Sequence, residues 1–260
     1  LLPLDADLQQ PRQVPARAGQ GDIEMKKFLT AILFAPLLAF GSGPELHLDR
    51  APDKANDKAA LQNGAKIFVN YCLNCHSASY MRYNRLKDIG LSDAQIKDNL
   101  LFTADKVGEP MMIAMKRAEA KVWFGAAPPD LTVIARARAS EFGSGADWLY
   151  TYLRTFYRDE SRPTGWNNVV FENVGMPHVL WELQGDQIMG EDHKLKLVKP
   201  GKLKPQEFDA LVGDLVAYLT YMGEPVAEFR KQLGVMVLIF LAVVFVFAYA
   251  LKREYWKDIH

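Results

Sequence analysis

Two cysteines and a histidine stand together in the segment Cys72-Leu-Asn-Cys75-His76, which has the Cys-x-x-Cys-His attachment pattern of c-type haem. Cysteines three positions apart lie on one face of a helix, so their thiols can reach the two vinyl groups on one porphyrin edge. The histidine that follows can place an imidazole nitrogen on the iron. The segment therefore predicts one covalently bound haem c.

Half of a zinc site and a redox dithiol are the competing interpretations of Cys72 and Cys75. Zinc needs two further soft or nitrogen ligands at suitable spacing, and the chain has only 2 cysteines. A thioredoxin-like dithiol needs a strand-helix-strand context that this part of the sequence lacks. A disulfide across so short a span would close a strained ring. Haem attachment is therefore the favoured interpretation.

The iron also needs a ligand on its other side, and methionine suits an electron carrier because a thioether raises the reduction potential. Met176 stands between Gly175, which permits a close backbone approach, and Pro177, which stiffens the loop. Met189, which is also expected to lie in a loop, is the alternative methionine, and His178 is an alternative ligand that the sequence otherwise predicts to lie on a loop surface. The other methionines are predicted to be in apolar segments (Met25, Met236), in the core (Met111, Met112, Met115, Met222) or too near His76 (Met81).

A turn with few large side chains, GAAPPDL at residues 125–131, suits a backbone that lies against a flat ring. An ordinary loop is the alternative. Lys121, Arg136 and Arg138 flank the turn, and one of them could neutralise a haem propionate. The alternative interpretation is that these three residues are solvated surface charges.

The chain has 260 residues, of which 49% are hydrophobic and 24% charged, enough to bury one sizeable core or two small ones. Lysine and arginine together number 31, as do aspartate and glutamate, and no long block of one sign is present. This balance gives no indication of nucleic-acid binding.

Two apolar segments predict export and membrane attachment. Residues 25–43 have the basic, apolar and small-residue parts of a secretory signal, and the apolar part is too short to span a bilayer comfortably. We expect it to be cleaved, with an uncleaved N-terminal anchor as the alternative. Residues 233–251 carry no charge and are long enough for a transmembrane helix. The predicted organisation is a disordered upstream segment (1–24), a signal peptide (25–43), an exported haem domain (44–228), an anchor (229–251) and a cytoplasmic tail (252–260).

The spacing of apolar residues predicts a mainly α fold. With the Cys-x-x-Cys-His segment, this predicts a cytochrome c-like haem domain with long loops plus one C-terminal transmembrane helix. Helices are expected over residues 58–71, 146–157 and 205–222. Loops are expected at 125–130, 140–146 and 158–178, and long loops of this kind usually wrap something.

The chain resembles cytochrome c1, the haem subunit of the respiratory cytochrome bc1 complex, over residues 44–260. The landmarks are the helix with the haem box (64–76), the Pro-Pro-Asp-Leu turn (128–131), the Gly-Met loop (175–176) and the run LTYMGEP (219–225). The resemblance implies that Met176 is the sixth iron ligand and that Pro129 lies over the histidine side of the haem. It also implies that the C-terminal helix anchors the domain beside cytochrome b.

The resemblance further implies a non-catalytic electron-carrier subunit in the bacterial inner membrane, single-pass, with its haem domain in the periplasm. Such a subunit takes electrons from the Rieske iron–sulfur protein and passes them to a soluble or membrane cytochrome c. Another membrane-anchored monohaem cytochrome, and a haem sensor or peroxidase, are the alternatives. The separation of His76 and Met176, 176 − 76 = 100 residues, exceeds what a minimal cytochrome c needs and favours the c1 interpretation.

Overall fold

The structure of the chain is a computed structural model that describes residues 46–257. The predicted upstream segment and signal peptide lie outside that range, as do residues 258–260 of the predicted tail. The helices are α1 (Lys58–Ile67), α2 (Asp93–Asn99), α3 (Arg117–Phe124), α4 (Ile134–Ala137), α5 (Gly145–Arg154), α6 (Trp181–Gln184), α7 (Pro205–Gly223) and α8 (Ala227–Tyr255). The strands are β1 (Ala78–Arg82), β2 (Pro110–Met111), β3 (Phe156–Arg158), β4 (Trp166–Asn168), β5 (Gly185–Met189) and β6 (Leu195–Pro200). The mainly α fold class is confirmed.

Helices α1 and α7 pack closely together at the centre of the core. Gly64 permits this approach, because a Cβ there would overlap the carbonyl of Asp214 and the side chain of Tyr218. The rings of Phe68 and Tyr218, both fully buried, lie 5.7 Å apart. The helices predicted over 58–71 and 205–222 are confirmed, and the first of them continues beyond α1 as a π-helical turn, Phe68–Cys72. Such turns are frequent at functional sites.

The two small sheets were not predicted. One has the strand order β4-β3-β5-β6, with β3 antiparallel to β4 and parallel to β5, and the other pairs β1 with β2. The helix predicted over 146–157 ends at Arg154, and β3 follows it; the loop predicted over 158–178 contains β4. Both corrections have one physical reason: β3 and β4 have 3 residues each, too few to show the alternation that marks a strand in sequence.

Helix α8 contains the predicted apolar anchor. It has 29 residues, its most apolar stretch has a mean hydropathy of 2.8, and none of that stretch is buried. Glu224, just before α8, pairs with Arg230 on that helix and lies 3.6 Å from Arg136 on α4. A carboxylate therefore ties the start of the anchor to the helical domain.

Candidate functional site

The cysteine and histidine pattern lies where the central helix ends. The π-helical turn finishes at Cys72, and the backbone N–H groups of Cys75 and His76 both donate to its carbonyl oxygen, over 3.1 and 2.9 Å. This compact turn brings two thiols and an imidazole together. Burial, and then the neighbouring Cys75, raise the pKa of the Cys72 thiol to about 12, so the thiol is protonated at neutral pH.

The His76 ring is oriented by a carbonyl from the predicted turn. Its Nδ1 lies 2.7 Å from the backbone oxygen of Pro129, and a carbonyl oxygen can only accept, so Nδ1 carries the hydrogen. The lone pair is thereby left on Nε2, the arrangement typical of a metal-ligating histidine. Burial lowers the pKa of His76, although the Pro129 hydrogen bond and the charge of Asp130 oppose the shift.

The turn that carries Pro129 is fixed by its own hydrogen bonds. The Asp130 carboxylate accepts from the backbone and hydroxyl of Ser79, over 2.8 and 2.6 Å, and from the backbone and hydroxyl of Thr132, over 2.8 and 2.5 Å. The Leu131 N–H donates to the carbonyl of Ser77 over 2.9 Å. Burial alone would raise the pKa of Asp130, but these hydrogen bonds lower it overall. The turn is therefore tied to the residues that follow His76.

A different set of elements positions Met176. Its side chain is half-buried against the core, and its sulfur accepts a hydrogen bond of 3.4 Å from the hydroxyl of Tyr152 on α5. The Tyr152 ring is stacked on Trp148 with centroids 4.8 Å apart and meets Phe156 edge-on at 5.0 Å. Aromatic packing on two sides therefore fixes the hydroxyl that meets the sulfur.

A buried asparagine pair in β4 shapes the loop that leads to Met176. Asn168 is 1% exposed; its Oδ1 accepts from the N–H groups of residues 170 and 171, over 2.9 and 3.1 Å. Its Nδ2 donates to the carbonyl of Tyr152 over 2.8 Å. The Oδ1 of Asn167 accepts from the N–H of Asn173 over 2.8 Å. Side-chain amides thus replace the regular backbone pairing that this loop lacks.

The two arginines after the turn have different surroundings. The guanidinium of Arg138 lies 4.4 Å from the centre of the Trp148 ring and 5.6 Å from that of Phe171. Arg136 instead pairs with Glu224 near the anchor, and Lys121 is exposed on α3. Of the three candidates, Arg138 is therefore the one that contacts the aromatic rings beside Tyr152.

Comparison with known proteins gives the family. The family model described as "Cytochrome C1 family" matches residues 50–259. The chain belongs to the cytochrome c1 family. It is 52% identical over 237 residues to the "Ammonia monooxygenase gamma subunit" of Nitrosomonas europaea, covering 91% of this chain and 99% of that protein. It is 47% identical over 250 residues to cytochrome c1 of Allochromatium vinosum, covering 91% and 100%. Cytochrome c1 of Rhodospirillum rubrum is 28% identical over 233 residues, with 78% and 83% covered.

Cytochromes c1 are membrane-anchored electron-transfer proteins of respiratory chains and carry one covalently bound c-type haem, so haem c is the cofactor of this chain. The described residues fit the group. Cys72 and Cys75 offer two thiols beside an imidazole whose Nε2 is left available by the Pro129 hydrogen bond. Nitrogen and thioether donors are the axial ligands that cytochromes of the c type use.

The prediction that His178 lies on a loop surface is wrong. The residue is 2% exposed, stacked on Phe156 with centroids 4.9 Å apart and met edge-on by Trp166 at 4.9 Å. Burial is the main reason that its pKa is lowered to about 4. His178 is a neutral core residue, and the sequence offered no local sign of the two aromatic partners.

The structure also distinguishes among the competing methionines of the chain. Met111 and Met222 are buried, which confirms them as core residues, whereas Met112 is 42% exposed and the prediction of a core role for it is wrong. Met115 is half-buried. The prediction that Met189 lies in a loop is wrong. Met189 is the last residue of strand β5, where it pairs with Leu195.

Proposed function

We propose that this chain is the haem subunit of a cytochrome bc1 complex, which takes single electrons from the Rieske iron–sulfur protein and delivers them to a soluble or membrane cytochrome c. The family match over residues 50–259 supports the place in the complex, and the 2.7 Å hydrogen bond between His76 Nδ1 and Pro129 O, beside two thiols, supports the haem site. Cys72 and Cys75 attach the haem in this proposal, and His76 and Met176 are its axial ligands.

The haem supplies reversible one-electron chemistry when bound. The chain contributes rigid ligand positions and a dry surrounding. Pro129 holds the His76 ring in one orientation, so its ligand nitrogen does not need to reorganise between oxidation states. Tyr152 and the β4 asparagines hold the Met176 loop. No bond to a substrate is made or broken on this subunit.

Arg138 is the candidate partner for a haem propionate. Its guanidinium is held over the Trp148 ring at 4.4 Å, and Trp148 in turn stacks on Tyr152, the residue that contacts Met176. A cation held in place by ring contacts is preorganised to meet a carboxylate. Arg136 is already paired with Glu224, so it is the less suitable of the two.

The same proposal covers topology. The exported domain, residues 44–228, lies in the periplasm of a bacterial inner membrane, the anchor of residues 229–251 crosses the bilayer once beside cytochrome b, and residues 252–260 lie in the cytoplasm. The most apolar stretch of α8, none of which is buried, supports a single membrane span, and the signal-like segment at residues 25–43 supports export of the domain.

Purification from native membranes through a C-terminal tag tests the partners. We expect cytochrome b and the Rieske protein to co-purify, and the haem of this chain to be reduced by quinol in their presence. Because the Nitrosomonas relative is named as an ammonia monooxygenase subunit, the competing outcome is co-purification with a monooxygenase and no cytochrome b. That outcome would contradict the proposal.

Met176→Leu tests the ligand assignment. Leucine keeps the apolar volume but removes the sulfur, so we expect covalent haem to persist while the far-red sulfur-to-iron absorption band disappears and the midpoint potential falls. Met189→Leu is the matched control, since Met189 is also half-buried but lies at the end of β5. Loss of the band in the Met189 variant instead would move the ligand to that residue.

A further inference from the structure

We propose that Tyr152 is a positioning residue that holds the Met176 thioether through its hydroxyl and thereby raises the reduction potential of the haem. The inference rests on the proposed function, in which Met176 is an iron ligand. Nothing in the Cys-x-x-Cys-His pattern or in the Met176 loop sequence points to Tyr152, which lies 24 positions before the methionine on another element.

The first step is the direction of the hydrogen bond. A thioether sulfur has no hydrogen, so at 3.4 Å the Tyr152 hydroxyl must be the donor and the Met176 sulfur the acceptor. Tyr152 is 8% exposed, so little water competes for its hydroxyl. A phenol ordinarily keeps its proton at neutral pH, so the hydroxyl remains available as the donor.

The second step is the rigidity of the donor. The Trp148 ring stacks on the Tyr152 ring with centroids 4.8 Å apart. The Phe156 ring meets the Tyr152 ring edge-on with centroids 5.0 Å apart. Asn168 binds the backbone carbonyl of Tyr152 over 2.8 Å, and the same asparagine holds the loop that leads to Met176. Tyr152 is therefore joined to this loop through both its side chain and its backbone.

The third step is the effect on the sulfur. A thioether has two lone pairs, so a sulfur that donates one to a metal can accept a hydrogen bond on the other. Hydrogen-bond donation draws electron density from the sulfur and weakens its donation most to the oxidised, electron-poor iron. The reduced form is favoured by comparison, and the potential rises. A buried hydrogen bond acts more strongly than an exposed one because the local dielectric is low.

Tyr152→Phe in the full-length, membrane-extracted holoprotein tests the inference, because it removes the hydroxyl and keeps the ring. We expect unchanged covalent haem content, a lower midpoint potential in an equilibrium redox titration, and a shifted far-red sulfur-to-iron band. Tyr150→Phe is the matched control: Tyr150 is buried on the same helix, but its ring faces the Arg154 guanidinium at 4.3 Å. This control should leave both the potential and the band unchanged.

Three results would overturn the inference, and they are distinguishable. An unchanged potential and an unshifted band in Tyr152→Phe contradict the role of Tyr152 and leave Met176 ligation standing. Loss of haem from Tyr152→Phe shows that the hydroxyl supports the fold and not the potential. Absence of the far-red band from the wild-type protein contradicts Met176 ligation, and with it both the proposed function's ligand pair and this inference.

Discussion

The two sides of the proposed haem site are built in opposite ways. On the histidine side, both cysteines and the ligand follow one another within residues 72–76, and a single distant residue, Pro129, completes the arrangement. On the methionine side, Met176 depends on Tyr152 from α5 and on Asn168 from β4. One side is a short continuous motif, whereas the other is a small tertiary structure.

This difference implies different responses to mutation. In the proposed site, Cys72, Cys75 and His76 each have a chemical task that no neighbour can take over, so changes at these three residues should abolish attachment. The distributed side holds its ligand through several hydrogen bonds of modest net strength, each contributing about 1 kcal/mol. Changes there should therefore alter the potential and the local stability in steps.

The largest effect is expected from His76→Leu. This substitution removes the proposed iron ligand and leaves the Pro129 carbonyl without its partner. Loss of an outer-shell partner alone typically lowers metal affinity by about tenfold or more, so loss of the ligand itself should cost more than that in stable holoprotein. The measurement is haem-stained protein per unit of total antigen in membranes.

His47→Leu is the control for the histidine variant, because His47 is exposed. It should accumulate holoprotein at the wild-type level. If His76→Leu retained most of its haem-stained protein with an unaltered spectrum, the histidine side would not be the indispensable one, and the contrast between the two sides would be lost.

An intermediate effect is expected from Asn168→Ala on the methionine side. The substitution leaves two loop N–H groups and the Tyr152 carbonyl without their amide partner. Leaving such groups unsatisfied costs about 1 to 3 kcal/mol. On heating, we expect the far-red band to disappear at a lower temperature than the helical signal in circular dichroism. The covalent haem should stay attached.

Asn99→Ala serves as the matched control, since the Asn99 amide donates to a backbone carbonyl on the exposed surface of α2. Its far-red band and helical signal should be lost together, as in the wild type. Simultaneous loss of both signals in Asn168→Ala would mean that the Met176 loop is no separate unit of stability.

How far the sequence predicted the fold follows from the length of each pattern. The helices over 58–71 and 205–222 and the apolar anchor repeat their pattern over several turns, and all three are present as α1, α7 and α8. Strands β3 and β4 are too short for any pattern; they form because they pair with each other and because β3 also pairs with β5. The end of α5 was overestimated because Phe156 and Tyr157 are equally apolar in a helix or a strand.

The candidate site likewise contains residues that the sequence could predict and residues that it could not. Haem-box residues and Pro129 could be nominated from the sequence, because motif spacing and a resemblance point to them. Tyr152 and Asn168 could not, since a tyrosine on an apolar helix face and an asparagine between turn residues have many ordinary explanations. Only the tertiary structure brings the Tyr152 hydroxyl to the Met176 sulfur and the Asn168 amide to the loop that leads to Met176.

The smallest effect is expected from Asp130→Asn, which tests the support of the histidine side. Hydrogen bonds from Ser79 and Thr132 lower the pKa of Asp130 below the ordinary 3.8, although burial opposes them. A carboxylate with a lowered folded-state pKa stabilises the protein above the unfolded pKa, and this contribution is lost as the pH falls through the folded value. Asparagine keeps an acceptor oxygen but not the charge, so we expect a loss of about 1 kcal/mol at neutral pH.

The two proteins should therefore converge in acid, with denaturation midpoints that differ at pH 7 and approach each other as the pH falls below 3.8 and through the folded-state value. Asp98→Asn, on the exposed face of α2, controls for the change in net charge and should leave the wild-type pH profile intact. A constant difference between Asp130→Asn and wild type across the whole pH range would show that the geometry of the turn matters and the charge does not. The turn that carries Pro129 would then be held by the shape and hydrogen bonds of the Asp130 side chain and not by its charge.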